Sequence, residues 1–537
     1  MIVRSIYSGL ALLSLCACAH HDPNADDDGA KDSGTVVPDA FAGPFSDFPG
    51  APIIDPTGTA PPADAQTLFG DPMTGTATGG PCLFEPEVGT VYPRNWIRPR
   101  FTWIPTAGEN LYELRITTTT QVNPLIVYTT ATQWTMPADL WTGLQTHSVN
   151  TPLTVSIRGA AYDGTMLTTL AHGSSGDIAI APVDAPGAIV YWTTTGGTRL
   201  RGFKIGDEQV KDIITPTDAG SQCVGCHSST PDGNFVGFSS SQNPGNGDPT
   251  TLGLLSSDGT HTAPTFITPS ASTLMARVNQ EQPVFTKMHW QDGDHTAVTM
   301  YPTGGRFEMI WTDLEASSTA QAAGWDIIAR TGDITGTTQN GAAYASFAHA
   351  SDTLLYVSST DVSSGVTVHH GNLMTVPYNN RAGGTPTAIP GAATSTFNEY
   401  YPTFSPDDTY VAYNRVADGA TSYNNNQAEV WIIPTAGSTT PTRIAANDPP
   451  ACTAKVSPGV TNSWPKWAPG ASDDSGKRYY WLTFSSTRGT GGNPQLYVTP
   501  VVDDGTQLVT YPALYLWNQP ATENNHTPAW DNFSILQ

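Results

Sequence analysis

A short motif recurs at intervals of roughly 50–60 residues from about residue 186 to the end of the chain. The clearest copy is residues 401–413 (YPTFSPDDTYVAY), and a second is residues 229–238 (STPDGNFVGF). In both copies a Pro-Asp turn leads directly into an apolar run of strand-forming residues. Looser copies lie at 290–293, 347–352, 464–467 and 527–530. This repeat predicts one small β-unit per copy, each burying its apolar face against its neighbours.

The repeat resembles the TolB-like (PD40) propeller repeat, and the resemblance covers residues 186–537. It implies a β-propeller of roughly six blades. The final copy, 526–536, holds only one strand, so we expect its partners to come from residues 188–192 at the start of the repeat region. Pairing of the first and last segments would close the ring and leave no long exposed edge. A seven-bladed ring or a split sheet stays open, because the copy around Ala350 is degenerate.

The chain has 537 residues, which predicts two or more domains. Only 13% of the residues are charged, and the chain contains 51 Gly and 44 Pro. This composition favours an all-β protein. Residues 81–185 contain alternating strand-like runs at 100–103, 111–116 and 153–158. This segment resembles a fibronectin type III or related immunoglobulin-like module. The predicted fold class is therefore all-β, with an Ig/FnIII-like sandwich followed by a roughly six-bladed TolB-like propeller.

Residues 1–18 predict a lipoprotein signal peptide. Arg4 precedes an apolar run at 6–15 that is too short to span a bilayer. The run ends in LCAC, which resembles a bacterial lipobox, because Leu15 lies three residues before Cys18 and a small residue lies directly before it. The resemblance implies lipidation of Cys18. A plain secretory signal without lipid is the alternative.

The residue after the cysteine, Ala19, is not Asp, and by resemblance this favours the outer membrane over retention at the inner membrane. We therefore expect a protein of the bacterial cell envelope, attached to the membrane through its lipid. Residues 19–80 are rich in Asp, Pro, Gly and Ala. Such a segment buries too little apolar surface to offset its ordering entropy, so it predicts a disordered linker between lipid and folded domains.

Residues 223–227 (CVGCH) have the spacing of a c-type haem attachment site. In that chemistry Cys223 and Cys226 form thioethers with the haem vinyl groups, and His227 becomes the proximal iron ligand. The motif predicts one covalent haem c. Three alternatives stay open: a zinc site, which needs two further ligands; a thioredoxin-like pair, which belongs at a βα junction; and a local disulfide or chance match, which leaves His227 without a role.

The motif directly precedes the Pro-Asp turn of one repeat copy. Strand-like runs at 235–238 and 251–255 follow it, whereas a small cytochrome domain would be largely helical. We therefore expect the haem to be carried by a loop between blades, near the central funnel of the propeller.

A second axial ligand is predicted by aligning the repeats. Alignment on the turn Asp places His227 in the column of Pro402, and alignment on the aromatic residue before the turn places Met288 in that column. Met288 is therefore the candidate distal ligand, and His526 and His289 are the alternatives. A His/Met pair raises the reduction potential and suits electron transfer. Met288 is equally compatible with core packing, since methionine fills gaps readily.

Cys82 and Cys452 are the remaining cysteines of the predicted folded domains. In an oxidising compartment they could form a disulfide that ties the sandwich to a propeller loop, although the sequence does not show that they meet. The formal net charge is −24, and so acidic a chain repels phosphate backbones. Nucleic acid is therefore not an expected partner.

The leading functional hypothesis is a membrane-anchored monohaem c-type cytochrome that transfers electrons to a redox partner or senses redox state. The second is an envelope scaffold, in which a TolB-like propeller binds a protein and the haem is structural. The third is a haem peroxidase-like enzyme with an open iron position. No Ser-His-Asp set, zinc-protease motif or phosphate loop is visible in the sequence, so a non-enzymatic role is favoured.

Overall fold

Strands dominate the chain, which is all-β as predicted. The computed structural model describes residues 43–242, 250–335, 338–363, 367–489 and 491–536. The predicted signal peptide, Cys18 and the first part of the predicted linker lie outside the described residues. From Pro44 onward the chain forms one compact unit.

Residues 43–185 form nine strands and two helices. They are β1 (Ile53–Ile54), β2 (Cys82–Glu85), β3 (Val91–Tyr92), β4 (Arg100–Ile104), β5 (Leu111–Thr117), β6 (Leu125–Thr129), β7 (Gln133–Thr135), β8 (Leu153–Tyr162) and β9 (Leu167–Ile180), with α1 (Ala65–Phe69) and α2 (Ala138–His147). One sheet has the order β1-β6-β5-β8-β9-β3, and the other has the order β2-β4-β7. Both sheets contribute to one hydrophobic cluster, and β4, β5 and β8 confirm the three predicted strand runs.

Helix α2 was not predicted. Its buried residues Leu140, Trp141 and Leu144 lie on one face at helical spacing, and Asp139 lies in the first turn, where a carboxylate is favoured by the helix dipole. The indole nitrogen of Trp141 donates to the backbone oxygen of Trp96 at 2.8 Å. This contact anchors the helix over the shared core.

The predicted linker of residues 19–80 is wrong for its second half. Strand β1 pairs in parallel with β6, and Phe48 is 1% exposed in the N-terminal core. In α1, Ala65 and Phe69 are buried, and the Phe69 ring lies 5.4 Å from that of Tyr128. A few apolar residues are thus enough to hold a polar, proline-rich segment on the sheet, which an average over its composition conceals.

The described residues after 186 form thirty-one further strands and one helix of more than one turn. They are β10 (Ala188–Thr193), β11 (Arg199–Lys204), β12 (Lys211–Ile214), β13 (Cys223–Ser229), β14 (Phe235–Ser241), β15 (Thr251–Ser256), α3 (Pro269–Met275), β16 (Glu281–Phe285), β17 (Thr296–Thr303), β18 (Arg306–Asp313), β19 (Trp325–Ile327), β20 (Ala329–Arg330), β21 (Ile334–Thr335), β22 (Thr338–Gln339), β23 (Gly341–Phe347), β24 (Thr353–Ser359), β25 (Asp361–Ser363), β26 (Thr367–His369), β27 (Asn372–Pro377), β28 (Gly383–Gly384), β29 (Thr387–Ala388), β30 (Phe397–Phe404), β31 (Tyr410–Ala417), β32 (Glu429–Pro434), β33 (Thr442–Arg443), β34 (Ser463–Trp467), β35 (Ser472–Asp474), β36 (Lys477–Ser486), β37 (Gln495–Asp503), β38 (Leu508–Thr510), β39 (Leu514–Tyr515) and β40 (Asn525–Asp531).

Most of these strands belong to six antiparallel sheets. In strand order they are sheet 1 (β40-β10-β11-β12), sheet 2 (β13-β14-β15), sheet 3 (β16-β17-β18-β19), sheet 4 (β23-β24-β27-β29), sheet 5 (β30-β31-β32-β33) and sheet 6 (β34-β36-β37-β38). In sheet 6, β35 also pairs with β36 and β39 with β37. Each sheet is built from strands close in sequence except sheet 1, whose first strand comes from the end of the chain.

The first strand of each sheet, here called its inner strand, contacts the inner strands of the sheets before and after it. The contacts run from β40 to β13, β16, β23, β30 and β34, and then back to β40. The circuit is closed by β40, which pairs with β10 from Ala188↔Asp531 to Thr193↔Asn525. The predicted pairing of the last segment with residues 188–192 is confirmed.

The predicted disulfide between Cys82 and Cys452 is confirmed. Their Cα atoms lie 5.7 Å apart, and the bond joins β2 to a one-turn segment, Ala451–Thr453, between sheets 5 and 6. The N-terminal sheets also share a core with sheets 1 and 6, since Trp103 and Val155 belong to the same hydrophobic cluster as Trp481. A covalent bond and a common core thus hold the two halves of the described chain together.

Replacing Cys82 by Ser should lower the free energy of unfolding by on the order of 4 kcal/mol, because the disulfide closes a very long loop in the unfolded chain. Denaturant unfolding under non-reducing conditions measures this loss. Peptide mapping should recover Cys82 linked to Cys452, and Val456→Ala, at a 68% exposed position near Cys452, serves as the control. Equal stability of Cys82→Ser and wild type would show that the bond does not constrain the fold.

Replacing Trp530 in β40 by Ala should cost about 3–5 kcal/mol, as is typical for a buried Trp. Trp530 is 4% exposed, and its Nε1 donates to the backbone oxygen of Pro186 at 2.8 Å. This hydrogen bond links β40 to the segment directly before β10. Leu536, 61% exposed, is the control, and Leu536→Ala should change stability by less than about 0.5 kcal/mol. Similar melting curves for the two variants would contradict the importance of this closure.

Candidate functional site

Every inner strand carries a β-bulge at the same register. In sheet 5 the pairing jumps from Tyr400↔Asn414 to Thr403↔Ala412, which leaves Tyr401 and Pro402 opposite a single partner residue. Equivalent jumps leave the pairs 225–226, 282–283, 344–345, 464–465 and 527–528 in the other five sheets. Because a bulge redirects side chains locally, these pairs face the centre of the ring as a set.

The bulges have a common backbone conformation and a common residue pattern. The first bulged residue has a positive φ in five sheets, at Gln282, Tyr344, Tyr401, Trp464 and Thr527, with φ between 51° and 54°. Such a conformation costs a non-glycine residue roughly 1–2 kcal/mol. In sheet 2 the same register holds glycine, at position 225. The second bulged residue is proline in four sheets, which is possible because a bulge frees one N–H from the ladder.

All of the bulged residues except Pro465 line a cavity of about 290 Å³ at the centre of the inner strands. Its lining includes Cys223, Cys226 and His227 together with the aromatic side chains of Trp192, Tyr344, Tyr401, Tyr423 and Trp464. Each of the six inner strands contributes at least one residue. The size approaches that of ordinary small-molecule pockets, and the combination of apolar walls with a few polar groups is typical of them.

The predicted haem motif lies in a strand, not in a loop as expected. Cys223 to His227 form the first part of β13, and the bulge falls on Gly225 and Cys226. This bulge turns Cys226 into the register that holds Pro402 in sheet 5. The strand thereby presents both thiols and the imidazole to one cavity, which is what the motif requires.

His227 is buried, with 9% of its surface exposed. Its Nε2 lies 3.1 Å from the backbone oxygen of Val190, and since a carbonyl only accepts, Nε2 carries the proton. Its Nδ1 is buried with no hydrogen-bond partner in the described structure. Burial lowers the pKa of His227 to about 4, and nearby Lys466 adds to that effect. The ring is therefore neutral at pH 7 and keeps a bare lone pair.

The two thiols of the motif are free and only partly exposed. Burial raises the pKa of the Cys226 thiol to about 12, and nearby Glu281 raises it further. The thiol is therefore fully protonated at neutral pH. Reactive disulfide-exchange cysteines have the opposite property, a lowered pKa, so this environment does not favour a thioredoxin-like pair.

Several polar atoms at the cavity wall are buried without a partner in the described parts of the chain. Besides His227 Nδ1, they are Nε1 of Trp192, Oγ of Ser239 and Oε2 of Glu281. An unpaired buried polar group costs roughly 1–3 kcal/mol, so these four atoms are the groups near the cavity whose hydrogen-bonding capacity is unused. Two thiols, one imidazole lone pair and aromatic walls form a donor set that fits a covalently attached haem.

Of the three candidate distal ligands, the structure does not bring Met288 to the site. Met288 is 47% exposed in the connection between β16 and β17, and Pro283 takes the register where the alignment placed it. The alignment fails because the connection 286–295 is longer than its counterpart 405–409 in sheet 5. The alignment also misplaces His227 by one residue. His227 lies at the register of Thr403 and not of Pro402, because β13 has one more residue between its bulge and its turn than β30 has.

The two histidine alternatives differ in position. Neither is among the residues that line the cavity, and the Nε2 of His289 is 2.8 Å from the carboxylate of Asp352. His526 is 6% exposed and lies against the cavity's aromatic wall, with ring centres 4.9 Å from Trp192 and 5.2 Å from Trp464. Burial lowers the pKa of His526 to about 4, and the proximity of His227 contributes. His526 is therefore the best placed of the three.

Glu281 was not predicted from the sequence. It lines the cavity, and burial raises its pKa to about 7. The aromatic wall formed by Tyr344, Tyr401 and Trp464 was not predicted either. A signal for this wall was present, because an aromatic residue directly precedes proline in two copies of the repeat, at 401–402 and 464–465. Glu281 has no such signal, since no other copy carries an acid at its register.

Within residues 43–536, apart from the four short undescribed gaps, no group of three or more His, Cys, Asp and Glu side chains is placed to hold a metal ion. Over the same residues, no helix has the length and apolar character needed to cross a membrane.

No protein-family model matches the chain, and no curated protein matches it. Among solved structures, it is similar to hydrazine synthase of Kuenenia stuttgartiensis at 10% identity, over 64% of this chain and 46% of that chain, with a TM-score of 0.24. The chain thus spans less than half of that relative. An endo-1,4-β-xylanase of Bacteroides thetaiotaomicron shares 8% identity over 58% of this chain and 97% of its own, with a TM-score of 0.29. A Ca²⁺-stabilised ice-binding adhesin of an Antarctic bacterium gives 10% identity, 82% and 100% coverage, and a TM-score of 0.14. Likenesses this slight assign neither a fold nor a family.

Proposed function

We propose that the protein is an exported, lipid-anchored c-type cytochrome whose single haem lies in the centre of a six-bladed β-propeller. The six sheets are the blades, with β40 and β10 joining the first and last of them. The cyclic contacts of the inner strands and their common bulge support this architecture. The two N-terminal sheets that share a core are proposed to be an Ig/FnIII-like sandwich.

One observation carries the haem proposal: both thiols and an imidazole with an unpaired buried nitrogen line the same aromatic cavity. Cys223 and Cys226 would hold the haem covalently, and His227 would bind its iron. The Val190 carbonyl orients the imidazole and fixes its tautomer, as the hydrogen-bond partners of metal-binding histidines generally do. When bound, the haem would supply reversible one-electron chemistry.

Electron transfer or redox sensing is favoured over catalysis because the cavity lining contains few groups that could act as an acid or a base. Glu281 is the one carboxylic acid among the cavity-lining residues, and its raised pKa makes it a candidate acid–base group for a peroxidase-like enzyme. The acidic surface, with a net charge of −24, would suit a basic redox partner in the cell envelope. Attachment to the outer membrane through Cys18 is part of the same proposal.

Protein made with a cytochrome c maturation system should carry one covalent haem, detected by intact mass and by the pyridine-haemochrome spectrum. The double variant Cys223→Ala, Cys226→Ala should lose it, because no other free cysteine occurs in the described residues. His227→Ala should abolish the six-coordinate spectrum. His295→Ala, at a histidine that lines no part of the cavity, is the matched control and should leave the spectrum unchanged.

Zinc without haem after maturation would defeat this proposal. Haem in the double cysteine variant would move the attachment site elsewhere. Rapid peroxide turnover by the holoprotein, lost in Glu281→Gln, would replace electron transfer by the enzymatic alternative.

The distal side provides a further prediction. His526→Ala should open the ferrous iron to carbon monoxide and shift the midpoint potential, because the buried, neutral His526 ring lies against the cavity wall. Met288→Leu should change neither property, since Met288 is largely exposed and lines no part of the cavity. Carbon monoxide difference spectra and redox titrations measure both. A shifted potential in Met288→Leu with an unchanged one in His526→Ala would reverse the assignment.

A further inference from the structure

The residue that follows each bulge forms a second layer in the centre of the inner strands. The six residues at this register are His227, Val284, Ser346, Thr403, Lys466 and Ala529. All six line a smaller cavity of about 80 Å³, which shares His227 and Lys466 with the larger one. The volume is enough for more than one water molecule.

One half of this layer is polar. Ser346, Thr403 and Lys466 come from the consecutive sheets 4, 5 and 6, so their side chains form an arc. Neither hydroxyl nor the Lys466 ammonium has a hydrogen-bond or ion-pair partner among the described residues. The other half holds apolar Val284 and Ala529 and, between them, the His227 imidazole, whose Nε2 is already bonded to the Val190 carbonyl. Three unsatisfied donors thus face one small volume.

The charges at the cavity wall favour an anion. Two ammonium groups, Lys287 and Lys466, line it against one carboxylate, Asp531. Lys287 already pairs with Asp531 at 3.1 Å and contacts His349 at 3.1 Å, while Lys466 has no ion-pair partner among the described residues and only a longer-range attraction to Asp531. Burial lowers the pKa of Lys466 to about 8, with Lys287 adding to the effect, so its amine is still mostly charged at pH 7.

We propose that this cavity binds a small oxyanion, either a carboxylate or an inorganic anion. The Lys466 ammonium supplies the charge, and the hydroxyls of Ser346 and Thr403 supply two further donors. Val284 and Ala529, on the opposite side of the layer, confine the ligand to a small size. The site needs no haem, so it stands independently of the proposed cytochrome function.

The oxyanion can have two sources. One is a free anion such as acetate or nitrate, and the other is a carboxylate of the haem itself, because Lys466 also lines the larger cavity. Both offer the same chemistry to the same donors. If the natural ligand is a free anion, the haem-loaded protein can still bind an added anion. If a haem carboxylate fills the site, only the haem-free protein can.

Calorimetric titration of the full-length protein with sodium acetate and sodium nitrate, at constant ionic strength and pH 7, tests the proposal. We expect saturable binding to wild type, weakened about tenfold or more in Lys466→Met, because a charge-assisted hydrogen bond is lost. Ser346→Ala and Thr403→Val should each weaken binding by a smaller factor. Lys477→Met, at an exposed position in sheet 6, is the matched control and should bind as wild type does.

Two arms identify the source. Titration of the haem-loaded protein and of the haem-free Cys223→Ala, Cys226→Ala variant gives binding in both if the anion is free, and binding in the second alone if a haem carboxylate fills the site. A melting temperature of Lys466→Met equal to or above that of wild type, without added anion, shows that the variant folds. Absence of saturable binding in both arms, or equal binding by Lys466→Met and wild type, overturns the proposal. Loss of haem alone would defeat the cytochrome function and leave this site standing.

Discussion

The pairing of β40 with β10 is the contact on which the centre of the molecule depends. It brings the last strand of the chain between the inner strands of sheets 2 and 6, and no other strand supplies that place. The Val190 carbonyl that fixes the His227 ring belongs to β10, and the Trp530 indole spans the same joint. Because the ring closes through backbone hydrogen bonds and buried aromatic surface, the geometry of the cavity is a property of the whole chain.

The repeated bulge explains why a ring of sheets has a usable interior. A regular strand would alternate its side chains between the two faces of each sheet and present only an edge to the centre. The bulge turns two successive residues inward, at the energetic cost of a left-handed backbone at positions such as Tyr401 and Trp464. That strain is repeated five times, and it lies where the aromatic wall and the thiols are. The strained backbone positions therefore line the same cavity as the two cysteines and the histidine of the motif.

Much of the fold could be predicted from the sequence because it has local causes. The Pro-Asp turns and apolar runs predicted the strands of the repeat, and the incomplete last copy predicted the pairing of β40 with β10. The motif residues Cys223, Cys226 and His227 were predicted to act together, and they line one cavity. Chemistry carried by consecutive residues is visible without knowledge of the fold.

What the sequence did not reveal depends on register. One extra residue in β13 and a long connection after β16 shift the columns of the repeat, and for this reason Met288 was placed wrongly. The folded segment from residue 44 was missed because its few anchors, Phe48 and Phe69, are sparse in a polar stretch. Glu281 and Lys466 meet the motif only through contacts between sheets. A single sequence carries no direct record of such contacts.

The cysteines of this protein have opposite fates, and the fold separates them. Cys82 and Cys452 are joined across 370 residues, while Cys223 and Cys226, three residues apart, are not joined to each other. In an unfolded chain the near pair would oxidise first, because closing a short loop costs least. In the folded protein the protonated Cys226 thiol, with its pKa near 12, is a poor nucleophile. The native pairing is thus protected once the ring has closed, and the interval before closure is the period in which oxidation has to be controlled.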